Sequence, residues 1–393
     1  MANLDTNVST HFFPFVDLKA QYRAIKPEID AAIERVMDSG QFILGSEVES
    51  LEKEIADYCG SRFAIACASG SDALLLALMA LEVGQGDEVI TTPFTFVATA
   101  GAIARLQARP VFVDINPTTF NLDPAELQSA MTSKTRAIIP VHLFGMAADM
   151  DAITTLAKRS SVPVVEDAAQ AIGATYGGRF LGTIGLCGCF SFFPSKNLGG
   201  VGDGGMLTTD DKNMADRLRV LHLHGGRSKY EYQLIGMNSR LDALQAAVLR
   251  VKLRHLDSWA AKRIDKARRY AQLFEDRGLT SIVRLPQVAT NCTHVYNQYV
   301  VRVPRRDELR AFLRERGVPS EIYYPKPLHL QPAFAYLGYK PRNLPESEAA
   351  SEEVLALPIF PDLTDQQQSL VVASMAAFYS DRSSCTRPAA IPF

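Results

Sequence analysis

Short apolar runs alternate with segments of helical length between residues 63 and 167, and this alternation constrains the fold more than any other feature. The apolar runs are RFAIACAS, EVITT, RPVFVD, RAIIPVH and VPVVED. Strands that alternate with helices form βαβ units, in which helices cover both faces of a parallel sheet. The sequence therefore predicts an α/β fold with a largely parallel, doubly covered sheet.

The regions on either side of this alternation indicate further elements. Apolar positions at helical spacing in residues 24–58 predict two amphipathic helices, separated by a break at QFILGS. A long charged helical stretch at residues 241–274 is typical of a connector between domains. Beyond it, the run YNQYVVRV, a helical pattern near residues 307–316 and the proline-punctuated segment YYPKPLHLQPAF predict a small α+β domain.

Chain length supports a division into two domains. The chain has 393 residues, whereas single hydrophobic cores stop growing at about 250–300 residues. We expect a large domain at residues 14–255, which includes the N-terminal helices, and a small C-terminal domain at residues 256–380. Residues 381–393 show no periodicity, which is typical of a disordered tail.

Charge and composition disfavour several classes of protein. The formal net charge of −2 gives no general attraction to nucleic acid or to anionic lipid. Acidic residues interrupt the basic stretch RVKLRHLDSWAAKRIDKARRY, which favours a solvated connector helix over a nucleic-acid-binding helix. The six cysteines show no zinc-ligand spacing, and the chain has neither a signal-peptide pattern nor a membrane-spanning run. We therefore expect a cytoplasmic protein with reduced thiols, no metal site, and no nucleic-acid or membrane partner.

Polar residues follow several of the predicted strands. They include Ser69–Asp72, Thr92–Phe96, His142 and Asp167. In open α/β sheets, ligands bind beyond the carboxyl ends of the strands. We therefore expect these residues to face one crevice.

Lys196 is the candidate nucleophile. It lies in the segment SFFPSKNLGG, just after an apolar run, and the glycines behind it allow a bulky ligand to approach the backbone. A lysine with an ordinary pKa of about 10.4 is protonated at neutral pH, so an imine-forming lysine needs a buried, electropositive site. On this feature alone a structural lysine is the more common case.

Asp167 ends the predicted strand VPVVED. A carboxylate buried against the ring nitrogen of a pyridine cofactor keeps that nitrogen protonated, and the cofactor can then act as an electron sink. The alternative interpretation is a helix N-cap, because aspartate is favoured there as well. Its expected place at the crevice favours the functional role.

The segment ASGSDALLLAL has the form strand, Gly70-Ser71-Asp72 turn, helix. Such a turn leaves backbone N–H groups and the positive end of the helix dipole available to an anion such as phosphate, although many βα turns have this composition without binding anything. Ser191 adds a hydroxyl just before the lysine segment. Phe96, like Phe94, is an aromatic residue that either stacks on a flat heterocycle or packs in the core.

Taken together, these features resemble the DegT/DnrJ/EryC1/StrS family of nucleotide-sugar aminotransferases. The matching motifs span residues 14–378. They are PFVDLKAQY, EDAAQAIGA, SFFPSKNLGGVGDGGM, GMNSRLDALQAAVL and YYPKPLHLQPAF. The resemblance implies fold type I of the enzymes that depend on pyridoxal 5′-phosphate (PLP), with a mostly parallel seven-stranded sheet in the large domain and a small C-terminal α+β domain. It also implies a homodimer with shared active sites.

The resemblance further implies a role for each matching residue. Lys196 carries PLP as a Schiff base and then moves protons, Asp167 pairs with the pyridine nitrogen, and Gln170 lies by the O3′ of the cofactor. Phe96 stacks on the ring. The residues implied to hold the phosphate are Gly70, Ser71, Asp72 through its backbone, Ser191, and Asn238 from the partner subunit.

The implied substrates are L-glutamate as amino donor and a keto sugar linked to UDP or dTDP. Arg227, Lys229 and Arg240 are the candidate cations for the diphosphate. Tyr323-Tyr324 occupies a position where a subgroup acting on UDP-linked 3-keto-uronic acids has a His-Tyr pair. This difference disfavours a uronic acid and leaves a 3-keto or 4-keto deoxyhexose open, with both tyrosines as substrate-binding candidates.

Two alternatives exist within the same fold. A PLP- or PMP-dependent sugar dehydratase of this family has histidine in place of the Schiff-base lysine, so Lys196 argues against it. A non-catalytic regulatory homologue has no need of Lys196, Asp167 and Gln170, yet all three are present. The sequence therefore favours a transaminase.

Overall fold

The computed structural model of the chain describes residues 13–228 and 230–380. Residues 381–393, predicted to be a disordered tail, and Lys229 lie outside these ranges. Within them, no helix combines the length and the apolar character that crossing a bilayer requires.

The five strands predicted from the apolar runs are all present, and further strands follow them. The strands are β1 (Phe63–Cys67), β2 (Glu88–Thr91), β3 (Arg109–Phe112), β4 (Thr135–Ile138), β5 (Val165–Asp167), β6 (Thr175–Tyr176), β7 (Arg179–Phe180), β8 (Cys187–Ser191), β9 (Gly205–Thr209), β10 (Gly226–Ser228), β11 (Glu231–Tyr232), β12 (Tyr299–Arg302) and β13 (Val354–Leu357).

The strands of the large unit form two sheets that meet edge to edge. One sheet has the order β1-β9-β8-β5 and the other has the order β3-β2-β4. Isolated parallel bridges, Ile138 to Val164 and Val141 to Asp167, connect the β4 side to β5. Strand β9 is antiparallel to both of its neighbours, whereas β2, β3 and β4 pair in parallel, as do β5 and β8.

Within the described residues, the sheet β3-β2-β4 is parallel throughout, and the sheet β1-β9-β8-β5 contains the antiparallel strand β9. The single, mostly parallel seven-stranded sheet that we expected stays a prediction. The direction of β9 has a simple cause. The connection from β8 to β9 carries Lys196 and contains no helix, and a parallel return normally needs a longer, helical crossover. The chain instead reverses, and β9 runs back beside β8.

Helices cover the sheets and build the C-terminal part. They are α1 (Leu18–Ser39), α2 (Ser46–Cys59), α3 (Gly70–Ala80), α4 (Val97–Arg105), α5 (Pro124–Ala130), α6 (Met150–Arg159), α7 (Lys212–Leu221), α8 (Ala243–Leu253), α9 (Leu256–Asp276), α10 (Arg306–Glu315), α11 (Pro345–Glu353) and α12 (Asp365–Ser380). The two predicted N-terminal helices are α1 and α2.

The predicted long connector is two helices, not one. Helix α8 ends at Leu253 and α9 begins at Leu256. At the break, the His255 ring stacks on Trp259 with 5.6 Å between ring centroids and pairs with Glu28 of α1 at 3.1 Å. The contact with Glu28 joins residues far apart in the sequence, which explains why the helical pattern alone did not reveal the break.

Helix α9 joins two hydrophobic cores. Its first half contributes Trp259 to a cluster with α1 and α8, and its second half contributes Tyr270 and Phe274 to a core with β12, β13, α10 and α12. A further cluster combines Phe94 and Phe144 with residues of the C-terminal part such as Val300. The C-terminal part is thereby packed against the ends of the strands.

Candidate active site

A cleft of about 460 Å³ contains most of the predicted site residues. Its lining includes Gly70, Ser71, Phe96, Asp167, Gln170, Ser191, Lys196, Tyr323 and Tyr324. Small-molecule and cofactor pockets usually enclose about 300–1,000 Å³, so the space is sufficient for a cofactor with part of a substrate.

Other predicted residues lie away from this cleft. Asn238 is exposed and pairs with Leu223 in an isolated bridge. Arg227 is exposed on β10, and Arg240 is half-buried with an Nε atom that has no hydrogen-bond partner within the described residues. The role predicted for Asn238 from a partner subunit and the roles predicted for Arg227 and Arg240 as cations near the crevice stay predictions.

The backbone N–H of Asp72, predicted to hold phosphate, already has a partner. Ser69 is the N-cap of α3, and its Oγ accepts a hydrogen bond from the Asp72 N–H at 3.1 Å. The Asp72 carboxylate accepts a bond from the Ser239 hydroxyl at 2.7 Å. Asp72 thus supports the turn from behind, while Gly70 and Ser71 face the cleft.

Gly70 allows α3 and β8 to approach each other closely. A Cβ atom at Gly70 would lie 2.6 Å from the Cβ of Ser191, closer than real Cβ contacts allow. The glycine therefore brings the Ser191 hydroxyl to the first turn of α3, where the Ser71 side chain and the helix N-terminus also face the cleft. These groups form a seat that suits a phosphate.

Lys196 lies in a loop that is fixed at several points. Its own N–H donates to the Phe193 carbonyl at 2.9 Å. Next to it, Asn197 is buried, donates to the Val295 carbonyl at 2.9 Å and accepts from the Asn297 amide at 2.9 Å. Lys196 is thereby held against the start of the C-terminal part.

Burial lowers the pKa of Lys196 to about 8, and the negative charge of Asp167 acts in the opposite direction. At pH 7 roughly a tenth of such an amine is unprotonated, far more than for a lysine with an ordinary pKa of about 10.4. The lysine is therefore able to act as a nucleophile near neutral pH.

Asp167 is buried at the end of β5. Its Oδ2 accepts a hydrogen bond from the Thr99 hydroxyl at 2.8 Å, and its Oδ1 accepts one from the Ala169 N–H at 3.2 Å. Burial raises the pKa of Asp167, whereas these hydrogen bonds and the nearby charge of Lys196 lower it. A cationic group bound beside Asp167 would reinforce its ionised form, which is what a protonated pyridine nitrogen provides.

Gln170 has a fixed amide orientation. Its Oε1 accepts a hydrogen bond from the Phe144 N–H at 2.6 Å, which turns the Nε2 group toward the Tyr324 hydroxyl, 3.4 Å away. Phe144 has a left-handed backbone conformation with φ of 60°. The amide N–H of Gln170 is thus available as a donor at the cleft.

His142 does not serve the crevice as we expected. Its Nε2 lies 2.8 Å from the Oε2 of the fully buried Glu166, while its Nδ1 accepts from the Ala148 N–H, so Nε2 is the donor. Burial opposes ionisation of Glu166, but its hydrogen bonds prevail and lower its pKa. The Glu166 carboxylate also accepts three backbone N–H groups, from Gly182, Ile184 and Gly185.

Several cleft residues were not predicted from the sequence. Ser195, Asp203 and Gln298 line the cleft, and Thr99 reaches it through Asp167, whereas Thr95, which also lines the cleft, belongs to the predicted segment Thr92–Phe96. Thr95 and Thr99 are one helical turn apart and their hydroxyls lie 3.2 Å from each other, a spacing that the segment TFVAT contains. No motif near Lys196 or Asp167 points to Gln298, because this residue lies in the C-terminal part, far from them in the sequence.

The lining residues fit a phosphate-bearing pyridine cofactor. The cleft combines a lysine with a lowered pKa, a buried carboxylate, an exposed aromatic ring at Phe96 and a phosphate seat. Among the residues that the structure describes, no group of three or more His, Cys, Asp or Glu is arranged to hold a metal ion.

Comparison with known proteins gives the same family over nearly the whole chain. The model of the DegT/DnrJ/EryC1/StrS aminotransferase family matches residues 23–376. The "Pleiotropic regulatory protein" of Geobacillus stearothermophilus is 52% identical over 366 residues, which cover 93% of this chain and 98% of that protein. The "UDP-2-acetamido-2-deoxy-3-oxo-D-glucuronate aminotransferase" of Pseudomonas aeruginosa is 45% identical over 361 residues, which cover 92% of this chain and 99% of that protein.

A solved structure, that of S. venezuelae DesV in complex with a ketimine intermediate, matches with a TM-score of 0.91 and 44% identity. The match covers 93% of this chain and 98% of that chain. At this identity and similarity of shape the fold is shared, and it is fold type I of the PLP-dependent aminotransferases. The chain belongs to the DegT/DnrJ/EryC1/StrS aminotransferase family.

Proposed function

We propose that this chain is a PLP-dependent aminotransferase that moves the amino group of L-glutamate onto the keto group of a nucleotide-linked hexose. The observation that carries the proposal is the pairing, in one cleft, of a lysine whose pKa is about 8 with the buried Asp167. The regulatory name of one relative does not favour a non-catalytic role, because the residues that catalysis needs are together in this cleft. A sugar dehydratase of this family would have histidine at position 196, where this chain has lysine.

Bound PLP supplies an electron sink and carries the amino group between the two substrates. With PLP bound, the Nζ of Lys196 would hold the cofactor, and the same atom would take and return the proton. The Asp167 carboxylate would stabilise positive charge on the ring nitrogen, and Phe96 would pack against the ring. Gln170 would donate its amide N–H, and the seat at Gly70, Ser71 and Ser191 would bind the phosphate.

A homodimer with shared active sites is part of the proposal. Within the described lining of the cleft, Lys196 is the sole cationic side chain, although a diphosphate and the carboxylates of glutamate need positive partners. Asn238 and Arg240 do not line the cleft of their own chain, and we propose that they reach the cleft of a second copy. Phe193 and Val201, more than half exposed beside Lys196, supply apolar surface for such a contact.

Some structural expectations enter the proposal as well. We propose that the two sheets act as one seven-stranded unit, because parallel bridges connect their edges. We propose that the chain divides into a large domain at residues 14–255 and a small domain at residues 256–380.

We also propose a cytoplasmic location. The cysteines support it, because Cys59, Cys67, Cys187, Cys189 and Cys292 are free thiols within the described chain.

Absorption spectroscopy of the two half-reactions tests the proposed function. The protein loaded with PLP should be yellow, L-glutamate should bleach the visible band, and a UDP- or dTDP-linked keto-hexose should restore it. D-glutamate is the control for specific binding of the donor. A protein that binds no PLP, or whose band does not respond to L-glutamate, would contradict the proposal.

The lowered pKa of Lys196 predicts how cofactor capture depends on pH. Below pH 8 the amine is increasingly protonated and cannot attack, so the rate at which PLP attaches to the cofactor-free protein should fall about tenfold per pH unit. Stopped-flow absorption between pH 6 and 10 measures this rate. Nα-acetyl-lysine is the reference, because its rate should still rise near pH 10. A protein midpoint as high as that of the reference would show that the amine is not perturbed.

A further inference from the structure

The C-terminal part supplies one wall of the cleft, formed by Gln298, Tyr323 and Tyr324. Gln298 directly precedes β12, and its backbone N–H donates to the Phe144 carbonyl at 3.4 Å. Phe144 also fixes the amide of Gln170, as described above. The wall is thus anchored to the same residue that orients a group of the predicted cofactor site.

The side-chain amide of Gln298 has an oxygen without a hydrogen-bond partner in the described part of the chain. The side chain lies near the Tyr323 hydroxyl, whose pKa it lowers against the larger, opposite effect of burial. The Gln298 Oε1 is buried and has no partner among the described residues. Buried acceptors normally accept a hydrogen bond, so we expect a bound ligand to donate one to this oxygen.

The chemistry of the wall limits which ligand group can satisfy it. Gln298, Tyr323 and Tyr324 are neutral, and Lys196 is the one cation in the described lining. A sugar hydroxyl donates a hydrogen bond to an amide oxygen, whereas a carboxylate can only accept. A carboxylate placed against Oε1 would face another acceptor and would gain no hydrogen bond there.

We propose that Gln298 is a specificity-determining residue whose Oε1 accepts a hydrogen bond from a ring hydroxyl, so that the cleft selects a neutral keto-hexose over a keto-uronic acid. This inference rests on the proposed function and names the substrate class of the same cleft. It assigns a role to a residue that the motifs around Lys196 and Asp167 do not include.

The test compares the two half-reactions in Gln298→Met. The probes are L-glutamate and matched pairs of UDP- and dTDP-linked keto-hexoses and keto-uronic acids. Methionine keeps the length of the side chain and removes the acceptor, so kcat/KM for the neutral sugar should fall about 10- to 100-fold relative to kcat/KM for glutamate. Gln287→Met, at an exposed glutamine outside the cleft, is the matched control and should leave that ratio unchanged.

Two further variants keep the proposal testable if Gln298→Met folds poorly. Gln298→Glu retains an acceptor, so it should keep most of the efficiency for the neutral sugar and reject the uronic acid more strongly. Tyr323→Phe removes the hydroxyl that lies near the Gln298 side chain, so the amide should be held less firmly and the preference for the neutral sugar over the uronic acid should narrow.

The outcomes separate this inference from the function on which it rests. If wild-type protein shows no glutamate half-reaction, the proposed function fails, and this inference fails with it. If both half-reactions proceed but the ratio is the same in Gln298→Met as in wild type, or if wild type prefers the uronic acid, the role of Gln298 is overturned while the function stands.

Discussion

Replacing Lys196 by alanine should reduce glutamate-driven amino transfer by at least about 10³-fold, because one atom both attaches the cofactor and moves the proton. Single-turnover absorption with L-glutamate measures the loss. Borohydride reduction followed by peptide mass spectrometry should locate a covalent cofactor on Lys196 in wild type and find none in the variant.

Lys252 provides a control that separates the effect of location in the cleft from the effect of a lowered lysine pKa. Burial lowers the pKa of Lys252 to about 8 as well, yet its Nζ donates to the Gly199 carbonyl at 2.5 Å and the residue is absent from the lining of the cleft. Lys252→Met should therefore still yield the reduced adduct on Lys196. An adduct on another lysine in wild type, or full turnover by Lys196→Ala, would show that the assignment is wrong.

Replacing Asp167 by asparagine should lower kcat/KM for L-glutamate by about 10²–10³-fold. Asparagine keeps the shape of the side chain but removes the negative charge that stabilises a protonated ring nitrogen. Steady-state kinetics at saturating PLP separates this loss from weaker cofactor binding. We expect most of the effect in kcat.

Thr99→Val provides a graded comparison for Asp167. It removes the hydroxyl that donates to Asp167 at 2.8 Å but keeps the carboxylate, so the loss should be about tenfold or less. If Asp167→Asn lost no more than Thr99→Val, the charge of Asp167 would not matter for the reaction.

The sequence predicted those parts of the fold and site that depend on local order. Each apolar run from residues 63 to 167 became a strand, and strand ends in such sheets share an edge, so Asp167 and the turn at Gly70 reach one cleft. Lys196 was recognisable because its glycine-rich surroundings are contiguous in the chain. These features require no knowledge of contacts between distant segments.

One feature that escaped prediction is a local helix cap, and the others depend on tertiary contacts. The N–H of Asp72 was expected to hold phosphate, but the Ser69 side chain competes for it within the same turn. His142 is hydrogen-bonded to Glu166, whose carboxylate also accepts backbone N–H groups from a segment about 18 residues away in the chain. Gln298 enters the cleft only because the C-terminal part packs against the strand ends. None of these contacts leaves a periodic trace in the sequence.

Glu166 and Asp167 are consecutive residues of β5, so their side chains project to opposite faces. The contacts of Glu166 with His142 and three backbone N–H groups immobilise the strand from behind and thereby aim Asp167 at the cleft. The two sides of the site therefore differ in how far the effect of a substitution spreads. A substitution at Glu166 should therefore also displace Asp167, whereas a substitution of the Gln298 side chain leaves these contacts of β5 in place.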